Sequence, residues 1–321
     1  MDKKKLVLIL FSLLLLLAGV VIISRTLLDQ VPEFAVKNPE KIKKIIIKSN
    51  TGAVSLEKTK VGWMLNGIEE ARMDAVNALI KTLTDLEVKS PIDKSVLENM
   101  LLDGDIEEVS ISVKSALKTL KNYQVYKVST NPYGNIMTKG GKANYIMHVP
   151  GYPGDIGVFY TTRSNYWKPH VIFDYKLSDI LSVEFISGIE PLNSFRINRT
   201  GSGVYVLEEF DSRRIIENAD SGQIIRYLSY FHSIGFEKFL DSDKVALTNS
   251  ILEDPALYTI NVKDINNKEK LIKVFPVYLD KDSAIIDNNY AYASISWENE
   301  IVLIKYFAID PLLKGIDYFI R

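Results

Sequence analysis

The residues that most often carry chemistry are scarce in this chain. It has three histidines, His148, His170 and His232, and no cysteine. Thiolate zinc sites, disulfides and cysteine nucleophiles are therefore impossible. No two histidines have the His-x-x-x-His spacing of a helix-borne metal site. His148 lies in a strand-like run and His232 beside Tyr230 and Phe231 at the end of an expected helix, so both read as structural. His170 follows Trp167-Lys168-Pro169 in an expected loop and is the histidine kept as a candidate. Gly-x-Ser-x-Gly, Gly-x-x-x-x-Gly-Lys-Ser/Thr and Gly-x-Gly-x-x-Gly are all missing, leaving no nucleophile elbow and no glycine-rich phosphate cradle. Gly201-Ser202-Gly203 reads as a hairpin turn, and Asp103-Gly104-Asp105-Ile106-Glu107-Glu108 lacks the ligand spacing of a calcium loop. No catalytic, cofactor-binding or metal-binding residue is assigned. A carboxylate pair brought together only in three dimensions stays open as a hydrolase reading.

Aromatic residues give the stronger contact signal. Tyr152, Phe159, Tyr160, Tyr166 and Trp167 crowd one stretch, interleaved with Pro150, Gly151, Pro153, Gly154 and Pro169. Two readings stand: a plug between domains, or a contact face formed by Tyr152, Tyr166, Trp167 and His170.

The elements that must hold these residues follow from length and pattern. The chain has 321 residues, 39 Lys plus Arg against 40 Asp plus Glu, and is 47% hydrophobic, which suits a folded protein of about two domains. A net charge of −1 gives no global basic field for nucleic acid. Residues 6–23 are uncharged and apolar, long enough at about 1.5 Å per residue to cross a bilayer once as a helix. Lys3, Lys4 and Lys5 then place the start inside and the remainder outside. Retention of this segment as an anchor is the primary expectation, with a cleaved signal peptide as the alternative.

Residues 26–41 read as a tether. The fold is expected to open with three short antiparallel strands at 44–48, 53–56 and 62–67. A helix over 74–87 follows, with Val76, Leu79, Ile80, Leu83 and Leu86 on one stripe and Asp74 as its cap. A shorter helix near 94–102 and strands at 109–113, 123–128, 145–149 and 156–160 complete the first half.

The same order recurs. Ser182 to Ile186 stands where Ile45 to Ile47 stood, displaced by 138, and Gly203-Val204-Tyr205-Val206 answers Gly62-Trp63-Met64-Leu65, displaced by 141. Leu79, Ile80, Leu83 and Leu86 answer Ile224, Ile225, Leu228 and Phe231, displaced by 145, with Ser221 as cap. Asn144-Tyr145 against Asn289-Tyr290, Ile156, Val158 and Phe159 against Ile301, Leu303 and Ile304, and Phe173-Asp174-Tyr175 against Ile316-Asp317-Tyr318 extend the match. The expected fold is α+β: a single N-terminal transmembrane helix (1–25), the tether (26–41) and two tandem similar modules (42–180 and 181–321). Each module is a mainly antiparallel sheet with one principal packed helix.

The opening Ile42-Lys43-Lys44-Ile45-Ile46-Ile47, Val54-Ser55-Leu56-Glu57, Gly62-Trp63-Met64-Leu65-Asn66-Gly67 and Ala71-Arg72-Met73-Asp74-Ala75-Val76 resembles a bacterial family, the domain of unknown function numbered 4340. His148-Val149-Pro150-Gly151-Tyr152, Tyr166-Trp167 and Phe173-Asp174-Tyr175-Lys176 resemble the middle of its longer, membrane-anchored members. The resemblance implies an architecture and no catalytic site. It also implies partners among ABC-exporter or gliding-motility-type membrane components. The resulting expectation is a single-pass inner-membrane protein with a periplasmic body, acting without catalysis as an accessory or scaffold to an envelope transport or motility assembly. The alternative is a periplasmic module that binds glycan or peptide.

Overall fold

The computed structural model describes residues 14–16, 33–102, 106–128, 135–141, 143–240, 245–280, 285–298 and 300–320. Two compact units meet in the chain between Ser164 and Asn165. The segment after Ser164 joins the second unit because β10 (Val171–Phe173) pairs with β14 (Ile234–Gly235), well inside it.

In the first unit the strands are β1 (Lys44–Ser49), β2 (Ala53–Lys58), β3 (Trp63–Leu65), β4 (Glu69–Glu70), β5 (Glu87–Ile92), β6 (Ile106–Lys114), β7 (Thr119–Val128), β8 (Asn135–Thr138) and β9 (Asn144–His148). They form one antiparallel sheet in the order β4-β3-β2-β1-β6-β7-β8-β9-β5. Helix α1 (Met73–Asp85) buries Val76, Leu79 and Leu83 of the expected stripe together with Ala75 and Thr82, while Ile80 is half-buried and the buried Leu86 lies just past the helix end. Its cap differs from expectation. Asp74 sits inside the first turn, 3.4 Å from Arg72, and the capping position is Arg72, which makes no side-chain capping bond. Helix α2 (Lys94–Leu102) buries Leu97.

The stretch read as a tether is anchored from residue 33 onward. Phe34 and Val36 are buried, Phe34 meets Tyr123 and Tyr145 edge-on at 5.6 and 5.9 Å, and the Val36 amide donates to the Leu83 carbonyl.

In the second unit β11 (Ile180–Ser187), β12 (Phe195–Arg199), β13 (Tyr205–Glu209), β15 (Lys238–Phe239), β16 (Tyr258–Asp264), β17 (Glu269–Asp280), β18 (Ile285–Ile295) and β19 (Glu300–Lys305) form an eight-stranded sheet. Its order is β13-β12-β11-β16-β17-β18-β19-β15, which retraces the first sheet strand for strand once the two-residue β4 is set aside. Helix α3 (Ser221–Ser229) covers one face, where Ile224, Tyr227 and Leu228 join Val183, Phe185, Phe195, Ile197, Ile260 and Val262 in one core. Its cap is Asp220, one residue before the expected Ser221. Asp220 Oδ1 accepts from the Gly222 and Gln223 amides. On the opposite face Ile251 of helix α4 (Val245–Glu253) packs with Phe275 and Ile301, covering β17 and β19. The opposite side of β11, β12, β13 and β16 carries Ser182, Glu184, Arg196, Asn198, Glu208, Asn261 and Lys263, with Ile186 and Val206 beside them.

Several expectations are corrected. Described residues are dominated by antiparallel strand, with nineteen strands against four helices longer than a single turn. The sequence reading undercounts β17 and β18 because Pro276 interrupts one and the small Ala291 and Ala293 supply the inward face of the other. Residues 156–160 are not a strand. Ile156–Phe159 is a 3-10 turn held by Asp155, which accepts from the Gly157 amide at 2.7 Å and from Asn135 Nδ2 at 2.6 Å. Its match to Ile301, Leu303 and Ile304, which lie in β19, therefore fails; so do those of Phe173 in β10 with Ile316 in a 3-10 turn, and of Tyr145 in β9 with Tyr290 in β18.

Among the described residues no helix is long and apolar enough to cross a membrane. The anchor expected over 6–23 falls, apart from the helical residues Leu14–Leu16, outside the described residues. The transmembrane helix, and the single-pass inner-membrane placement with a periplasmic body that depended on it, are accordingly set aside.

The sheet margins are guarded. β4 and β15 have two residues each, and the outermost strand β5 contains Pro91. β13 is covered by residues 214–216: the Glu209 amide donates to the Arg214 carbonyl, the Ile216 amide to the Leu207 carbonyl, and Glu208 bridges Ile215.

Candidate functional site on the polar face of the second unit

Strand alternation builds this site. Val183, Phe185, Phe195, Ile197, Ile260 and Val262 point into the core, so the residues between them point the other way. Glu184 on β11 stands opposite Arg196 on β12 and Asn261 on β16, and Ser182 stands opposite Asn198 and Lys263. These two cross-strand rows, together with Arg199, Glu208, Arg213 and Glu269, line a recess of about 660 Å³.

Its charges are mutually engaged. Arg196 Nε lies 2.7 Å from Glu184 Oε1, and its guanidinium sits 5.3 Å from the Phe210 ring. Lys263 Nζ is 3.4 Å from Glu269. Two of the recess carboxylates are thus taken up by cations, which is the arrangement of a contact surface more than of an acid and base facing a scissile bond. One atom is left over: the Asn261 side-chain oxygen is buried and accepts no hydrogen bond. An acceptor sequestered in this way carries a desolvation cost of roughly 1–3 kcal/mol.

At the end of the recess Arg199 opens onto a second cavity of about 410 Å³. Leu177, Val204, Tyr205, Ile224 and Ile225 form its apolar walls. Arg199 is pinned by donating Nη1 to the Ser178 carbonyl at 3.0 Å and by lying 5.9 Å from the Tyr205 ring. The Tyr205 hydroxyl is itself anchored, shared between the Leu177 and Ile180 carbonyls. Burial raises its pKa, the Arg199 charge opposes that rise and Asp179 adds to it.

A third cluster surrounds Lys270, whose ammonium lies 4.7 Å from the Trp297 ring and 5.8 Å from that of Tyr175 and donates to the Ile172 carbonyl. Burial lowers its pKa, and Asp174, Asp264 and Glu298 offset part of that shift. This is a cation–π lock between β17 and its neighbours.

The aromatic residues expected to form a contact face have separate fates. Tyr152 belongs to the first unit, is exposed, and packs at 5.8 Å against Phe159. Trp167 is fully buried, edge-on to Tyr166 at 4.9 Å, so its ring serves packing and is not displayed. His170 stacks on Phe236 at 4.7 Å and meets Phe239 at 5.6 Å. His148 lies in β9 opposite Glu87. His232 lies beyond the end of α3, with Nδ1 2.8 Å from Asp174. Among the described residues no three His, Asp or Glu side chains are grouped to hold a metal ion.

Sequence reasoning passed over Glu184, Arg196, Asn198, Arg199 and Asn261, because each is an ordinary polar residue in an alternating strand. The signal was present in the repeat. Positions 46, 55 and 112 of the first unit, which match 184, 196 and 261 by strand and register, are Ile, Ser and Ser. No family model matches the chain, and no curated protein matches it.

Proposed function

We propose that this protein acts by binding and without catalysis, as an accessory or scaffold component of a transport- or motility-type assembly, and that the polar face of its second unit is the contact surface. One observation carries the reading: the recess holds a fixed guanidinium-carboxylate pair and a buried acceptor with no donor, at positions where the first unit has Ile46, Ser55 and Ser112. A guanidinium-carboxylate pair held in place on an open recess presents fixed, oriented charge that a complementary partner can read. The assembly type rests on the family resemblance alone.

A photoreactive residue at Asn198 tests the proposal. The full chain should cross-link to a defined partner in its native extract, and Arg196→Glu should abolish the adduct without changing the far-ultraviolet circular dichroism. Equal labelling by the Asn198 probe and by one placed at Ser55 would remove the recess from consideration.

A further inference from the structure

The recess and the apolar cavity share Arg199, and the chemistry of the shared corner specifies a ligand more narrowly than binding alone. On one side lies an apolar cavity of about 410 Å³, within the size range of ligand pockets. At its mouth stands a guanidinium whose orientation is fixed by Ser178 and Tyr205 and which makes no ion pair among the described residues. A planar fork held in this way suits a carboxylate. Two carboxylates at this corner are already engaged: Asp220 with the Gly222 and Gln223 amides, and Asp179 with Ser178 Oγ. On the other side run the two cross-strand rows, Ser182-Asn198-Lys263 and then Glu184-Arg196-Asn261. They are two residues apart along β12, roughly 7 Å, which is the spacing at which an extended peptide repeats its own donors and acceptors.

We propose that this corner binds the free carboxyl terminus of a partner polypeptide ending in an aliphatic residue. The last side chain enters the cavity against Ile224, Ile225 and Val204. The terminal carboxylate pairs with Arg199, and the preceding backbone runs over the row of Ser182, Asn198 and Lys263, whose side chains line the recess. This proposal rests on the binding reading above and supplies the partner's chemistry. A carboxylate alone satisfies Arg199, an apolar group alone fills the cavity, and only a peptide end also meets the donors and acceptors of the Ser182-Asn198-Lys263 row.

Fluorescence anisotropy of the full chain with a short labelled peptide ending in leucine tests it. The free acid should bind saturably, its carboxyl-terminal amide should bind about tenfold more weakly, and octanoate should be a poor competitor. Arg199→Gln should erase the difference between acid and amide. Val204→Asp, at a side chain 57% exposed, should weaken the free acid with an unchanged melting temperature, separating loss of binding from loss of fold. Equal binding of acid and amide overturns the proposal, as does octanoate competing as well as the peptide, which assigns the corner to small fatty carboxylates. Absence of saturable peptide binding while the Asn198 cross-link persists removes this inference alone, whereas loss of both removes the binding reading as well.

Discussion

The two units lay their strands in the same order, yet they use the side of the sheet away from the principal helix differently. In the first unit the central row is Ile46, Ser55 and Ser112, and the adjoining row is closed by Lys44 donating to Glu57, an exposed pair that lowers the Glu57 pKa through that bond. In the second unit the central row is Glu184, Arg196 and Asn261, with a recess above it. The cores differ in the opposite sense. Ile47, Ile111 and Tyr123 stand side by side in the first sheet, where the second has Phe185, Ile260 and Ile272. A repeated scaffold fixes where side chains point and leaves open which of them carry polarity; in these rows Tyr123 stands inside the first copy where Ile272 stands in the second, and the ionic cluster lies on the outside of the second.

The severest way to break the comparison is to remove a shared support from one copy only. Phe195 packs against Phe185, Tyr227 and Phe319 at 5.3, 5.5 and 4.8 Å. Phe195→Ala should cost about 3–5 kcal/mol in the second unit. Hydrogen exchange should show β11, β12 and β16 losing protection while β1, β2 and β6 keep theirs. Loss of protection in both sheets together would mean that the two cores do not fold as separate units.

A smaller effect should follow from Arg196→Ala, which strands the Glu184 carboxylate, 29% exposed, beside the sheet. We expect a loss of about 1–2 kcal/mol in chemical denaturation, while the triple exchange Glu184→Ile, Arg196→Ser and Asn261→Ser should restore stability and leave the recess inert. An inert triple variant with native stability sharpens the comparison, since it turns the second face into the first.

Capping gives a third contrast. Asp220 holds two amides of α3, whereas α1 begins at Arg72 without a capping bond. Asp220→Ala should lower stability by about 1 kcal/mol, read from thermal unfolding, since it removes the acceptor of two first-turn amides.

The smallest effect is reserved for alkaline pH. Tyr123 and Tyr160 are buried, their hydroxyls close enough to interact but without a well-formed hydrogen bond, and burial raises both pKa values well above the ordinary 10. The unfolded chain ionises these phenols near pH 10 while the folded chain resists. Their contribution is therefore complete below pH 10 and falls as pH rises through and beyond it. Tyr160→Phe should be near neutral at pH 7 and should shift the alkaline unfolding midpoint upward. An unchanged midpoint would show that the hydroxyl is not the group that titrates.

Much of the scaffold was readable from spacing. The stripe through Leu79 and Leu83, its echo in Ile224 and Leu228, and the alignment of Ile45 with Val183 all arise because burial on one face forces a period that survives in the residues themselves. Later matches drifted, since loop lengths changed and Ile156, an apolar residue, was as compatible with a capped turn as with a strand. The site left almost no trace: Asn261 acquires meaning only through the two strands that flank it, and its buried oxygen is a property of three-dimensional enclosure. Trp167 was open to two readings, packing or display, because a large aromatic near prolines and glycines suits either, and only the enclosure of its ring separates them.

The guarded margins carry a consequence for how this protein is assembled into anything larger. Among the described residues, two-residue strands, a proline and a folded-back segment along the rims leave neither sheet a long free ladder to which another chain can be zipped. Company must come side chain by side chain across a face, which permits exchange of partners and denies the self-templated growth to which so much β structure would otherwise be prone.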